Sequence, residues 1–238
     1  MALKSKIQFD IITIFPKIFD SYLGEGIIAR AVKNKILKIK IHDLRDFASD
    51  KRKTVDDTTY GGGPGMVMKI EPIFKALKKM RVIDKNGNRM NAGKNDTRIL
   101  IASAKGKIFN QETALELSKY SRIVIICGRY EGIDERVSQY LADEEISIGE
   151  YVLTGGELPA MIMLDSISRL KKGVVGNRES IIDESFSKKG YIEYPHYTKP
   201  ESFAPGKGVN WNVPKVLLSG DHKKIKEWRD EKSKSTLI

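Results

Sequence analysis

Three short runs of apolar, mostly β-branched residues in the middle of this 238-residue chain each end in a loop that contains glycine. The runs cover residues 98–102, 122–127 and 145–148. The loops after them read Ser103-Ala104-Lys105-Gly106, CGRYEGIDERV (127–137) and SIGEYVLTGGELPA (147–160). Runs of this kind predict buried strands. Because ligands bind at the carboxyl ends of strands in open α/β sheets, we expect a binding site where the three loops meet.

Predicted helices separate the predicted strands through most of the chain. Strand-like segments lie at 8–15, 37–44, 97–102, 122–127 and 145–148, and helix-like segments at 69–80, 110–120 and 159–170. This alternation predicts an α/β fold with a mostly parallel sheet. The last of these helices begins with an unbroken apolar run, 160–164, which favours a place deep in the core or at a subunit interface.

The character of the chain changes after Gly173. Residues 174–190 are polar and weakly periodic, which is typical of a linker or a mobile lid. The final segment carries both tryptophans and a helix-like run at 221–231 in which Ile225 and Trp228 share a face. We therefore predict a large domain at 1–173, a linker at 174–190 and a small C-terminal domain at 191–238.

The loops favour a small planar ligand without phosphates. The chain contains neither GxGxxG nor GxxxxGK[ST], the two loops that wrap amide groups around nucleotide phosphates. The loops instead offer open backbone, the rings of Tyr130 and Tyr151, and the carboxylates of Glu131 and Glu150. Such a set suits an adenosine with a cationic group, and S-adenosylmethionine fits that description. Ordinary tight turns in a sheet remain the alternative.

Composition limits the class of protein. The single cysteine, Cys127, excludes an internal disulfide and suits a reducing compartment. No apolar run approaches the ~20 residues that span a bilayer, and the N-terminus lacks the apolar stretch of a signal peptide, so we expect a soluble cytoplasmic protein without a membrane partner. The net charge of +11 favours a polyanionic partner, nucleic acid first, although lysines on solvated faces explain it equally well.

Taken in order, the motifs resemble one family, the bacterial tRNA (guanine-N1)-methyltransferases. Besides the two long loops, the chain contains YGGGPGM (60–66), PHYTKP (195–200) and VPKVLLSGDH (213–222), and the similarity extends from Ile7 to about Trp228. These enzymes belong to the SPOUT class. The resemblance therefore implies an α/β sheet that ends in a deep C-terminal trefoil knot, followed by a small, mainly helical, tRNA-binding domain.

The resemblance also implies the reaction. S-adenosylmethionine would donate a methyl group to N1 of guanosine at tRNA position 37, next to the anticodon, giving the 1-methylguanosine that supports reading-frame maintenance. The enzyme would be a homodimer whose sites are shared between subunits. The resemblance further implies that Mg²⁺ can assist, although the sequence shows no metal site. The residues expected at the methyl donor are Ser103, Ala104, Gly106, Gly128, Tyr130, Glu131, Ile148, Gly149, Glu150, Tyr151, Val152, Leu153, Gly155, Gly156 and Pro159.

Methyl transfer to guanine N1 needs a general base for the N1 proton and a cation for the charge that moves onto O6. Arg169 matches the arginine that the family places at O6; on a helix it could instead pair with Asp165. The family's base is an aspartate directly before Ser-Phe, and Glu184 takes that position here, with Asp183 as the substitute. Acidic residues at a helix start are the alternative explanation for both.

Other residues are expected to contact tRNA. The resemblance places the glycine-rich loop of Gly65 beside the target guanine, with Asp56 just upstream, while Arg52 and Lys53 would meet RNA phosphates. His196 is a further candidate, for which a buried aromatic pair is an equal alternative.

Two features depart from the family's pattern. Ala104 stands where the family has proline, which would leave that loop freer, and the chain stops soon after Trp228, which puts tRNA affinity in doubt. Two other functions stay open: a knotted methyltransferase with another RNA target, and a basic RNA-binding factor without activity.

Overall fold

The structure is a computed structural model that describes residues 6–90, 97–176 and 184–235. Its contacts divide the chain into two compact units, Met1–Gly176 and Asn177–Ile238. The three-part division predicted from the sequence stays a prediction, because much of the proposed linker, residues 177–183, lies outside the described residues.

The first unit alternates strands with helices. Its strands are β1 (Ile7–Thr13), β2 (Leu37–Asp43), β3 (Asp56–Asp57), β4 (Val67–Met68), β5 (Thr97–Ile108), β6 (Arg122–Cys127) and β7 (Glu144–Ser147). Its helices are α1 (Asp20–Leu23), α2 (Gly26–Lys33), α3 (Ile70–Lys79), α4 (Gln111–Leu117), α5 (Glu135–Tyr140) and α6 (Glu157–Ser168). Short 3₁₀ turns cover Pro16–Phe19 and Leu44–Phe47.

Five strands form the central sheet in the order β2-β1-β6-β5-β7, and every neighbouring pair is parallel. The prediction of an α/β fold with a mostly parallel sheet is confirmed. Helices cover both faces of the sheet, as the side chains of β6 show. Ile123 and Ile125 join one buried cluster with α2, α4 and α6, whereas Val124 and Ile126 join another with α3. Strands buried on both faces are near-continuously apolar, as this one is.

Strand β5 is longer than the sequence predicts. The sequence predicts a strand that ends at Ala102, but β5 continues to Ile108. Its pairing with β7 shifts register between Ala102 and Lys107 and then resumes, so Ser103–Gly106 forms an irregular step within the strand. Gly106 makes this step feasible, because a Cβ there would lie 2.5 Å from the carbonyl oxygen of Glu145 on β7.

A buried polar cluster ties three strands together. Asp10 on β1 is fully buried, with one carboxylate oxygen 2.7 Å from Nε2 of His42 on β2 and the other accepting a 2.7 Å hydrogen bond from Nε of Arg122 on β6. Burial opposes ionisation of Asp10, but hydrogen bonds from His42, Arg122 and Gln8 outweigh it and lower its pKa to about 2. The carboxylate is therefore charged at neutral pH.

The second unit contains short elements. Its strands are β8 (Tyr191–Ile192), β9 (Ser202–Gly206), β10 (Val209–Asn212) and β11 (Lys234–Ser235), and its helices are α7 (Lys215–Leu218) and α8 (His222–Lys232). Strands β9 and β10 pair as an antiparallel hairpin, and β8 pairs with β11. The side chain of Asp221 caps α8, and Ile225 and Trp228 are the partly buried residues along it, as predicted. Within the described residues, no helix is long and apolar enough to cross a membrane.

Candidate functional site

A pocket of about 460 Å³ opens where β5, β6 and β7 end in their loops. Its walls contain most of the residues that the sequence associates with the methyl donor: Ser103, Ala104, Gly128, Tyr130, Glu131, Ile148, Gly149, Tyr151, Val152, Leu153, Gly155, Gly156 and Pro159. Gly106 and Glu150 do not line it. Gly106 instead lies against the backbone of β7, so its place at the donor has no support from the pocket.

Gly156 clamps the third loop onto the second. Its N–H donates a 2.9 Å hydrogen bond to the carbonyl oxygen of Gly128, and it is the residue from which α6 starts. A Cβ at Gly156 would lie 2.7 Å from Cα of Cys127 and 2.8 Å from N of Gly128. Only glycine lets the start of α6 approach the end of β6 this closely.

The second loop also holds the segment that carries YGGGPGM. The N–H of Glu131 donates to the carbonyl oxygen of Met66 (3.0 Å), and the N–H of Met68 donates to the carbonyl oxygen of Gly132 (2.9 Å). Gly65 adopts φ +87°, and a Cβ there would lie 2.7 Å from Oε1 of Glu131. The structure thus brings Gly65, a predicted substrate residue, against Glu131, a predicted donor residue.

A buried ion pair braces the same loops, and the sequence did not predict it. Nε of Arg129 lies 2.9 Å and Nη2 lies 2.8 Å from Oε2 of Glu157, and Nη1 donates to the carbonyl oxygen of Thr154 at 3.0 Å. The other carboxylate oxygen of Glu157 accepts a 2.7 Å hydrogen bond from Thr13 at the end of β1. Glu157 is almost fully buried, so its charge needs this pairing. Both residues belong to the long motifs, but their contact spans 28 residues of sequence.

One wall of the pocket carries a fixed negative charge. Glu145 accepts a 2.5 Å hydrogen bond from the hydroxyl of Ser138 and lies 3.4 Å from Nζ of Lys105, which also pairs with Glu135 at 2.6 Å. Burial opposes the ionisation of Glu145, but hydrogen bonds from Ser103, Ser138 and Lys105 outweigh it and lower its pKa. A carboxylate at this wall favours a cationic group on the ligand.

The candidate catalytic residues follow the pocket-lining loops in the chain, and neither Arg169 nor Glu184 is among the residues that line the pocket. Arg169 is the C-cap residue of α6, whereas Gly156 at the pocket is the N-cap. At about 1.5 Å of rise per residue, the two ends of the helix are about 20 Å apart. Glu184 belongs to the second unit, is partly buried, and its carbonyl oxygen accepts from the N–H of Ser187 at 3.0 Å. Asp183 lies outside the described residues.

The remaining substrate candidates have local partners. Lys53 forms an exposed 2.7 Å ion pair with Asp46, which raises the pKa of its ammonium group; Arg52 is exposed. Asp56 is the first residue of β3 and lies opposite Met68 of β4. Met68 in turn hydrogen-bonds to the second loop. His196 lies in the second unit with Nε2 2.8 Å from Glu193. Among the residues described, no three metal-ligating side chains cluster.

The chain matches a family model described as "tRNA (Guanine-1)-methyltransferase TrmD" over residues 7–237. It is also similar to proteins named tRNA (guanine-N(1)-)-methyltransferase. One, from Clostridioides difficile (strain 630), is 48% identical over 227 residues, which cover 95% of this chain and 92% of that protein. Two others also cover 95% of the chain: those from Endomicrobium trichonymphae (47% identical, 94% of its length) and Dehalococcoides mccartyi (strain ATCC BAA-2100 / JCM 16839 / KCTC 5957 / BAV1; 45% identical, 86% of its length).

Proposed function

Because this chain belongs to the tRNA (guanine-1)-methyltransferase family, we propose that it methylates N1 of guanosine 37 in tRNA, acting as a cytoplasmic homodimer that helps to maintain the reading frame. The observation that carries the proposal is the pocket at the ends of β5, β6 and β7, bordered by the segment of Gly65. This pocket lies where the predicted cofactor loops and a predicted substrate loop meet.

The pocket suits S-adenosylmethionine as the methyl donor. Its volume of about 460 Å³ lies within the usual range for small-molecule sites. Glycine-rich backbone can bind a flat adenine closely, and the carboxylates of Glu131 and Glu145 favour the positive charge of the donor. When bound, the donor supplies an activated methyl group.

The protein's own residues would prepare guanine for the transfer. Glu184 removes the N1 proton as general base, and Arg169 stabilises the negative charge that develops on O6. The loop of Gly65 holds the base beside the pocket, which is a positioning contribution. Burial raises the pKa of the Cys127 thiol well above its usual value, so this side chain, next to the pocket, stays protonated and takes no nucleophilic part.

A homodimer accounts for the distance between the pocket, at the start of α6, and Arg169, at its end. Since Arg169 lies about 15 Å along the helix from Pro159, the residue of α6 nearest to it that lines the pocket of its own chain, a pocket completed by the arginine of a second copy is the simpler arrangement. Leu158 and Ile162 support this, because both are large, about half exposed and one turn apart on α6. We further propose that the clamp at Gly156 belongs to a trefoil knot and that residues 174–190 link the domains.

The base assignment is tested by isosteric variants. We expect Glu184→Gln to abolish single-turnover methylation while tRNA still binds, because the amide cannot accept the N1 proton. Asp183→Asn is the matched control and should keep the rate. Near-normal turnover by Glu184→Gln, combined with a loss in Asp183→Asn, would show that Asp183 is the base.

The reaction itself is tested with tRNA transcripts. Mass spectrometry of the product should locate one methyl group on guanosine 37, and a transcript with adenosine at that position should remain unmodified. Methylation at another nucleotide would favour a different RNA target. Calorimetry with S-adenosylmethionine separates the non-catalytic alternative, since a simple RNA-binding factor has no reason to bind it. Rates with Mg²⁺ and with a chelator decide whether the ion assists.

A further inference from the structure

The hairpin formed by β9 and β10 presents two aromatic rings to solvent. Trp211 lies opposite Phe203 in the antiparallel register, and their ring centroids are 5.8 Å apart with planes tilted by 38°. Phe203 is 52% exposed and Trp211 is 64% exposed. Every residue of both strands is exposed, so this pair does not belong to a core.

The two tryptophans of the chain differ in exposure. The other tryptophan, Trp228, is partly buried on α8, with its ring centroid 6.3 Å from that of Tyr197. An isolated two-stranded hairpin is only marginally stable in water, and cross-strand aromatic pairs help to hold it. The two rings are tilted against each other, but each presents an exposed face on which another aromatic system can stack.

The charges around the hairpin indicate which kind of partner fits this surface. Lys207, between Gly206 and Gly208 at the tip, is exposed, and Glu201 precedes β9. Between residues 184 and 235, eleven lysines and arginines stand against seven aspartates and glutamates. A partner that combines negative charge with flat aromatic groups is a nucleic acid, and an unpaired nucleotide leaves a base face free for stacking.

We propose that Phe203 and Trp211 form a stacking platform for an unpaired base of the tRNA substrate, with Lys207 contacting the adjacent phosphate. The proposal rests on the proposed function, because it takes tRNA as the substrate. Stacking tolerates any base, so the platform contributes affinity and orientation rather than the choice of the methylated nucleotide. It acts on substrate binding and leaves the chemical step to other residues.

A single-tryptophan protein tests the contact directly. In the Trp228→Phe background, Trp211 is the remaining tryptophan. With excitation selective for tryptophan, titration with unmodified tRNA should quench its emission in a saturable way. An unchanged emission at RNA concentrations that saturate binding would overturn the proposal. A change in emission with protein concentration, without RNA, would place a second copy of the chain on this surface and would overturn it as well.

Steady-state kinetics test the contribution to the reaction. Trp211→Ala and Phe203→Ala should each raise KM for tRNA about tenfold and leave kcat nearly unchanged, because loss of one stacked base weakens binding alone. Trp211→Phe should recover most of the loss. Leu218→Ala, which removes an exposed apolar side chain elsewhere in the same unit, is the control and should keep the wild-type KM.

Salt dependence separates stacking from charge. Lys207→Gln should reduce the slope of log affinity against log salt by about one, whereas Trp211→Ala should shift the line without changing its slope. If Trp211→Ala lowers only the melting temperature and leaves KM unchanged, the pair is purely structural and the proposal fails. That failure would not affect the proposed function, which would fail separately if no variant, nor the wild type, produced 1-methylguanosine.

Discussion

Substitution of Gly156 by alanine tests whether the close approach of α6 to β6 builds the pocket. Gly156 has φ −84° and ψ −2°, a conformation that is allowed for alanine, so the main cost must come from the contacts of the added methyl group. That group would meet Cα of Cys127 at 2.7 Å and N of Gly128 at 2.8 Å, and both are backbone atoms that cannot rotate away.

The expected magnitude follows from these contacts. Overpacking that forces the backbone to shift costs about 1–3 kcal/mol. For a chain of this size, about 2 kcal/mol corresponds to a fall in melting temperature of roughly 4–8 °C. Because the shift opens the junction between two walls of the pocket, we also expect the affinity for S-adenosylmethionine to fall about tenfold or more, equivalent to about 1.4 kcal/mol.

Thermal melting and calorimetry with S-adenosylmethionine measure the two effects. Gly176→Ala is the matched control, because a Cβ at Gly176 would meet no atom within 4 Å, and it should leave both quantities unchanged. If Gly156→Ala has the same melting temperature and the same affinity for S-adenosylmethionine as the control, the idea that this contact builds the pocket is refuted.

Two further predictions concern the dimer and acid stability. If the sites are shared, mixing Arg169→Ala protein with Gly156→Ala protein and allowing subunits to exchange should restore up to about a quarter of wild-type activity, since half of the dimers then carry one intact site. The assay uses S-adenosylmethionine at a concentration too low to fill the weakened Gly156→Ala pocket; no recovery would indicate that each chain uses its own arginine. For Asp10, whose pKa is lowered from 3.8 to about 2, the folded protein gains about 2 kcal/mol that is present above pH 4 and is lost as the pH falls towards 2. Asp10→Asn should therefore be less stable than the wild type at pH 7 in chemical unfolding, and the difference should shrink on acidification; a constant difference would contradict this linkage.

Local sequence signals predicted the centre of the fold well. Strand β6 has the predicted bounds, because its apolar residues are bounded by Ser121 and Gly128 and both faces of the strand are buried. The predicted end of β5 at Ala102 was wrong. Most residues after Ala102 are polar, and their strand conformation comes from pairing with β7, about forty residues further along the chain. A pattern within one segment carries no information about such a partner.

The candidate site divides in the same way. The glycine-rich loops could be placed at the pocket, because strand ends and glycine are both visible in the sequence. The contact between Arg129 and Glu157 could not, since charged residues in a motif give no sign of which partner neutralises them. Glu145 was missed for a related reason: its partial burial and its hydrogen bond from Ser138 on α5 arise only in the folded chain.

The renewed pairing of β5 beyond its irregular step has a consequence for ligand entry. Ser103 and Ala104 are anchored on both sides by β7, through Ala102 before them and Lys107 after them. The stiffness that a proline would give this wall is thus supplied by the neighbouring strand, even though alanine stands at position 104. The wall is preorganised, and a ligand that binds there meets a surface whose ordering entropy was already lost when the sheet folded.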